Sequence, residues 1–338
     1  MLAQLLYPSM AIIGGFLVLV WGADRFVLGG AATARCLGVS PLIIGLTIIG
    51  FGTSAPEMLV SAVAALEGTP NLAIGNAIGS NITNIALVLG VAAIATPLNV
   101  ESQILKREYP IMFMVMLLAL ALMWDLGLNV VDGIILLVGL LLIMGWMVQI
   151  GLNENNKHKK KKRKKKSEQD PLEEDFESEI PKMALGVAMF WLVFGFALLI
   201  ISSKVLVWGA VEVAQIFEVS DLIIGLTIVA LGTSLPELAA TVASALKGEH
   251  DLAIGNIIGS NIFNLLAVIG IPAVITPIAL DNNVIQRDFF SMIGFSMALF
   301  IMAYGFKGKG RINRVEGSIL FAGYIAYMVW VYMSATSI

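Results

Sequence analysis

The hexapeptide Gly52-Thr53-Ser54-Ala55-Pro56-Glu57 is polar and helix-breaking, yet it lies inside a long apolar run. It returns 180 residues further on as Gly232-Thr233-Ser234-Leu235-Pro236-Glu237. The register holds on both sides without a gap. Leu42 to Ile48 recurs as Leu222 to Ile228, Leu72-Ala73-Ile74-Gly75-Asn76 as Leu252 to Asn256, and Gly79-Ser80-Asn81-Ile82 as Gly259 to Ile262. Roughly 30 of about 52 positions from Val39 to Gly90 are identical in the second copy, the self-similarity of a duplicated unit. Apolar composition alone does not produce this match, because the repeated residues include the rare polar ones.

The unit that was duplicated is a membrane unit. The chain is 58% hydrophobic and 13% charged, against ~25% charged in a soluble domain. Apolar runs of about 20 residues, enough to cross a hydrocarbon core, recur from end to end. The period-two segments of a membrane barrel are absent. A single cysteine, Cys36, excludes an internal disulfide and a cysteine metal cluster. The first apolar stretch lacks a basic leader and continues into the repeat, so it is expected to be a retained helix.

Ten spans are expected, near 5–34, 42–66, 72–96, 109–126 and 131–151, then 183–215, 222–246, 252–277, 289–306 and 315–336. Arg107-Glu108 precedes the fourth as Arg287-Asp288 precedes the ninth. The fold class is therefore an all-α polytopic membrane protein of ten helices in two five-helix repeats. The first repeat fills 1–151 with motifs at 50–57 and 75–84; the second fills 182–338 with motifs at 230–237 and 255–264. An odd number of spans per unit inverts the second copy. Loop charge agrees: loops at 35–41, 97–108, 247–251 and 307–314 carry the Lys and Arg, whereas the opposite loops hold only Arg287. Both termini are then outside and residues 152–181 form a cytoplasmic linker.

Inverted repeats with interrupted helices characterise secondary transporters, with the ion site at the midplane. Pro56 and Pro236 cannot donate a backbone hydrogen bond, and glycines and asparagines loosen 75–81 and 255–261, so broken core helices are expected. Glu57 and Glu237 lie well inside apolar spans. A charge at the bilayer centre costs at least ~2.5–3.5 kcal/mol and persists only with a partner. No Lys, Arg or His occurs in the four spans that carry the motifs, so the natural partner is a bound cation. Hydroxyls (Thr53, Ser54, Ser80, Thr233, Ser234, Ser260) and amides (Asn81, Asn84, Asn261, Asn264) surround them in sequence. An all-oxygen set suits hard ions such as Ca²⁺ and Na⁺. Two carboxylates cancel one Ca²⁺ or two Na⁺. For Ser54, Asn76, Asn81 and their copies, interhelical packing is an equal alternative. For Asp24 and Lys204, snorkelling or a local pair is the favoured reading.

Nine of the 21 basic residues lie in Lys157–Lys166, followed by the acidic run Glu168 to Glu179. A disordered, self-neutralising linker is expected, with contact between Lys157–Lys166 and anionic lipid as a second role. No nucleic-acid partner is expected.

The doubled Gly-Thr-Ser-x-Pro-Glu and Gly-Asn-x-Ile-Gly-Ser-Asn motifs resemble the alpha repeats of the sodium/calcium exchanger family, and most of all its short prokaryotic calcium/sodium antiporters. The resemblance covers nearly the whole chain outside 152–181. It implies a core of the second, third, seventh and eighth helices, against which the first and sixth slide. It implies Ca²⁺ and Na⁺ ligands at Glu57, Glu237, Thr53, Thr233, Ser80 and Ser260, outer sodium ligands at the Gly50 and Ala230 carbonyls, and flanking positions at Asn84 and Asn264. Potassium-dependent relatives characteristically carry aspartate where this chain has Asn264, so potassium co-transport is not expected. The expected activity is electrogenic Na⁺/Ca²⁺ antiport across a plasma (inner) membrane, by a functional monomer without cofactor or enzymatic activity. A Ca²⁺/H⁺ or other divalent-cation/H⁺ antiporter is the alternative. Remoter ones are a Ca²⁺-permeable channel and an intramembrane hydrolase, which lacks a His-Glu-x-x-His pattern.

Overall fold

The structure is a computed structural model that describes residues 2–39, 41–68, 70–100, 104–165, 183–216, 230–304 and 310–336. Its helices are α1 (Leu2–Leu37), α2 (Leu42–Leu66), α3 (Pro70–Ala95), α4 (Tyr109–Met123), α5 (Val130–Lys165), α6 (Leu185–Ile216), α7 (Leu235–Leu246), α8 (His250–Ile275), α9 (Val284–Ala303) and α10 (Arg314–Thr336). Among the described residues, eight of these are long and apolar enough to cross a membrane. The others are α4, with 15 residues, and α7, with 12. Helices dominate because backbone polar groups in lipid must be satisfied within the segment.

Two short ribbons stitch the halves together. Strand β1 (Leu98–Val100) pairs antiparallel with β4 (Gly310–Ile312), and β2 (Gly127–Leu128) with β3 (Ile278–Ala279). Each ribbon takes one strand from each copy. The same device starts α5 and α10. Asn129 Oδ1 accepts from the amides of Val131 and Asp132, while Asp132 Oδ2 accepts from the Asn129 amide at 2.9 Å. Asn313 and Glu316 repeat this reciprocal cap, at 2.8 Å for the return bond. Gly68 and Gly248, 180 residues apart, both adopt positive φ (78° and 76°) just past the ends of α2 and α7, where a side chain would be strained.

In lipid, helices associate through close packing rather than through the hydrophobic effect, so small residues decide who meets whom. The helices α1 and α6 run antiparallel, with Gly15 against Leu206, Gly22 against Leu198 and Gly29 against Leu192. Gly195 and Gly209 return the contact onto Phe26 and Pro8. The helices α2 and α8 run parallel and touch backbone to backbone, Gly45 on Leu252, Gly50 on Gly259, and Gly255 on Leu42. This crossing sits at the centre of the molecule, since every residue of α8 from Leu252 to Asn264 is buried.

Of the expected breaks, the described residues show one, inside the Gly232–Glu237 hexapeptide. Helix α2 continues α-helical through Pro56, and α3 through Gly75–Asn81. Within α2, α3 and α8 the irregularities are π-helical turns at Gly45–Ile49, Thr83–Val88 and Asn264–Val268. A proline removes one hydrogen bond, which a well-packed helix absorbs; a π turn instead inserts a residue and re-aims its side chains. In the second copy a single residue, Ser234 (φ −91°, ψ 3°), leaves helical geometry and separates the turn Ala230–Thr233 from α7. The stretch 222–229, which carries part of the repeat, lies outside the described residues. The helical backbone of α5 runs on to Lys165, past the expected end near 151, because the Leu, Glu, Lys and Arg of that stretch are good helix formers. The disorder expected from 152 is thus corrected as far as Lys165, and residues 166–182 lie outside the described residues.

Candidate functional site

Helices α2, α3, α7 and α8 bring the repeated motifs together. Glu57 and Glu237 are each 1% exposed, and Thr53, Ser54, Ser80, Asn81, Asn84, Ser234, Ser260, Asn261 and Asn264 are buried with them. Thr233 is half-buried. Contacts run from one copy to the other. Thr53 Oγ1 donates to Asn256 Oδ1 at 3.1 Å and lies 3.2 Å from Ser260 Oγ. Ser260 Oγ reaches the Gly50 carbonyl at 3.5 Å, and Ser54 Oγ donates to Glu237 Oε1 at 3.5 Å. Asn84 Nδ2 donates to Asn261 Oδ1 at 3.2 Å. Ala230 stands at the first residue of the turn that precedes α7.

The polar surroundings are mostly acceptors with capacity to spare. Among the described residues, neither oxygen of Glu57 has a hydrogen-bond partner, nor does Glu237 Oε2. Asn81 Oδ1, Asn84 Oδ1, Ser234 Oγ and both amide atoms of Asn264 share that state. Buried polar groups are almost always paired, so such a concentration of acceptors points to an electropositive ligand. No Lys, Arg or His among the described residues pairs with either glutamate: the ion pairs are Arg25–Asp24, Lys247–Asp24, Arg107–Glu108 and Arg287–Asp288. Oxygen donors with two carboxylates fit a hard cation of charge two, or two of charge one.

Several site features escaped the sequence reading. Asn256 bridges Thr53 to Thr241, donating to Thr241 Oγ1 at 3.0 Å, and Asn76 donates to Ser61 Oγ at 3.3 Å in the counterpart pair. The amides of Asn81 and Asn261 also meet thioethers, Met292 Sδ at 3.4 Å and Met112 Sδ at 3.8 Å. Met112 and Met292 are again 180 apart, a signal that was present but hidden among apolar residues. Pro56 and Pro236 line a cavity of about 390 Å³ with Gly232, Thr233, Ser203 and Lys204. Asp24 pairs with Lys247 at 2.7 Å, a local pair of the expected kind, and not with Lys204.

The family model described as sodium/calcium exchanger protein matches residues 8–149 and 187–333. The putative antiporter CaxA of Alkalimonas amylolytica is 45% identical over 331 residues, 98% of this chain and 100% of the relative. The sodium/calcium exchanger MaX1 of Methanosarcina acetivorans is 32% identical over 352 residues, covering 95% and 97%. The solved structure of the sodium-calcium exchanger NCX_Mj, soaked with 10 mM Na⁺ and zero Ca²⁺, is similar with a TM-score of 0.78 and 29% identity, over 96% of this chain and 99% of that one.

Proposed function

The chain belongs to the sodium/calcium exchanger protein family, and on that premise we propose that it exchanges Na⁺ for Ca²⁺ at one site built on Glu57 and Glu237. It is an all-α polytopic membrane protein and a cation antiporter. The finer reading is ten spans in two inverted repeats. The antiparallel course of α1 and α6, counterparts by the 180-residue offset, supports it.

The observation that carries the reading is the pair of buried glutamates, three of whose four oxygens have no hydrogen-bond partner among the described residues. Glu57 and Glu237 bridge Ca²⁺ or share Na⁺. Thr53, Thr233, Ser80 and Ser260 complete the shells, and the carbonyls of Gly50 and Ala230 serve outer Na⁺. Asn84 and Asn264 flank the centre, while Ser54, Ser234, Asn81, Asn261, Pro56 and Pro236 shape it. A site that turns over only when its two negative charges are cancelled accepts either load at similar electrostatic cost. Because Asn264 is neutral, no third carboxylate is present to recruit potassium.

The physiological direction we propose is Ca²⁺ extrusion on the inward Na⁺ gradient, with both termini outside, residues 152–181 cytoplasmic and Lys157–Lys166 near anionic lipid. The test is radiolabelled Ca²⁺ uptake into proteoliposomes loaded with Na⁺ or with choline, with and without a pH gradient. Uptake that needs internal Na⁺ and ignores the pH gradient is expected. Uptake that follows the pH gradient and ignores Na⁺ would assign the coupling to protons instead.

A further inference from the structure

Proline at position 236 leaves the Gly232 carbonyl without its helical donor, as Pro56 does for Gly52. The two freed carbonyls are treated differently. Ser203 Oγ, on α6 and 5% exposed, donates to the Gly232 carbonyl at 2.8 Å. Its neighbour Ser202 instead bonds back into its own helix, to Leu198 at 2.6 Å. The position 180 residues before Ser203 is Ala23, buried on α1 and without a hydroxyl. This asymmetry coincides with another: the second copy is interrupted at Ser234, whereas the first is α-helical across Pro56.

Alternating access moves one repeat against the other around a fixed site. With two copies of one unit, the opposite-facing state is reached when the copies exchange conformations, so that the first is interrupted and the second continuous. We propose that Ser203 is a positioning residue for transport: by tying α6 to the freed Gly232 carbonyl it holds the second copy interrupted and biases the protein toward the state seen here. Ala23 offers no such bond to the opposite state. The inference rests on the transport reading above for its meaning in the cycle, but the tie itself is a property of the chain.

The test compares wild type, Ser203→Ala, Ser203→Thr and Ala23→Ser in right-side-out and inside-out vesicles, reading the half-saturating Ca²⁺ concentration of Na⁺-dependent flux at each face. Loss of one hydrogen bond shifts a two-state equilibrium by about two- to twelvefold. Apparent affinity at each face follows the population of the state open to it. Ser203→Ala is therefore expected to change the ratio of the two half-saturating concentrations by that factor, lowering one and raising the other. Ser203→Thr keeps the hydroxyl and the wild-type ratio. Ala23→Ser moves the ratio in the same direction as Ser203→Ala, because it supplies the bond to the opposite state. An unchanged ratio in Ser203→Ala and Ala23→Ser, or an equal shift at both faces, would overturn the proposal. A wild type without Na⁺-dependent flux would overturn the transport reading alone. The tie is then judged on hydrogen exchange at the amides of Leu235 and Glu237, which must fall in Ser203→Ala as the second copy becomes continuous; unchanged or faster exchange would overturn it.

Discussion

Asn81 and Asn261 occupy the same position in the two copies of the repeat, and they touch: Asn81 Nδ2 donates to the Asn261 main-chain carbonyl at 3.3 Å. Asn84 then donates to the Asn261 side chain, so three amides close the seam between α3 and α8. Replacing Asn81 by Leu removes this side-chain donor from the Asn261 carbonyl, which keeps the Asn264 amide, at a cost of about 0.5–1.5 kcal/mol. Thermal unfolding of the purified protein in detergent should show a clear loss of midpoint for Asn81→Leu.

The glutamates behave in the opposite way. Neither Glu57 oxygen has a hydrogen-bond partner among the described residues, so Glu57→Gln removes a buried charge without breaking a bond to them. In medium free of Ca²⁺ and Na⁺ the variant should be at least as stable as wild type. Ligand at 100 times its dissociation constant stabilises a folded protein by about 2.7 kcal/mol. Wild type should gain such an increment on adding Ca²⁺, and Glu57→Gln and Glu237→Gln should gain none, as read from melting curves with and without the ion.

Helix approach at the centre depends on hydrogen atoms standing where side chains would be. A Cβ on Gly259 would meet the Leu46 carbonyl, and one on Gly50 would lie 3.1 Å from Gly259. Backbone cannot move aside as a flexible side chain can, so Gly259→Ala should separate α2 from α8 and cost more than 1 kcal/mol. Gly294→Ala on α9, where a Cβ meets no described atom within 4 Å, should be neutral or stabilising by up to ~1 kcal/mol. The yield of monodisperse protein after extraction separates the two outcomes.

Charge inside an apolar helix is not always functional. Asp24 pairs with Lys247 at 2.7 Å while its side chain is 44% exposed. Exposed pairs contribute about 0–1 kcal/mol. Asp24→Asn should therefore leave the melting midpoint nearly unmoved and Na⁺-dependent Ca²⁺ uptake within a few-fold of wild type.

The residues themselves explain what could be read from sequence. Helical class and duplication were legible because lipid imposes long apolar runs and because rare polar residues recur in register. Glu57 and Glu237 stood out since an intramembrane carboxylate without a cationic partner in its own spans has few structural explanations. Cross-copy contacts were not legible: nothing in the order of residues says that Ser54 reaches Glu237, or that Asn256 links Thr53 to Thr241. Helix interruption was legible at the second hexapeptide and not at the other motifs, for a physical reason. Proline and glycine lower helix stability locally, but packing decides whether the helix yields, and here it yields at Ser234 and not at Pro56. The thioethers of Met112 and Met292 were invisible because methionine in an apolar span signals only bulk.

The most direct test of a shared two-glutamate site is equilibrium binding of radiolabelled Ca²⁺ to the purified, full-length protein as Na⁺ is raised. Two carboxylates that hold one Ca²⁺ or two Na⁺ predict complete displacement by Na⁺, steeper than a one-for-one competition, and no specific Ca²⁺ binding in Glu57→Gln or Glu237→Gln. Ca²⁺ binding that persists undiminished at high Na⁺, or that survives in either variant, would contradict the account.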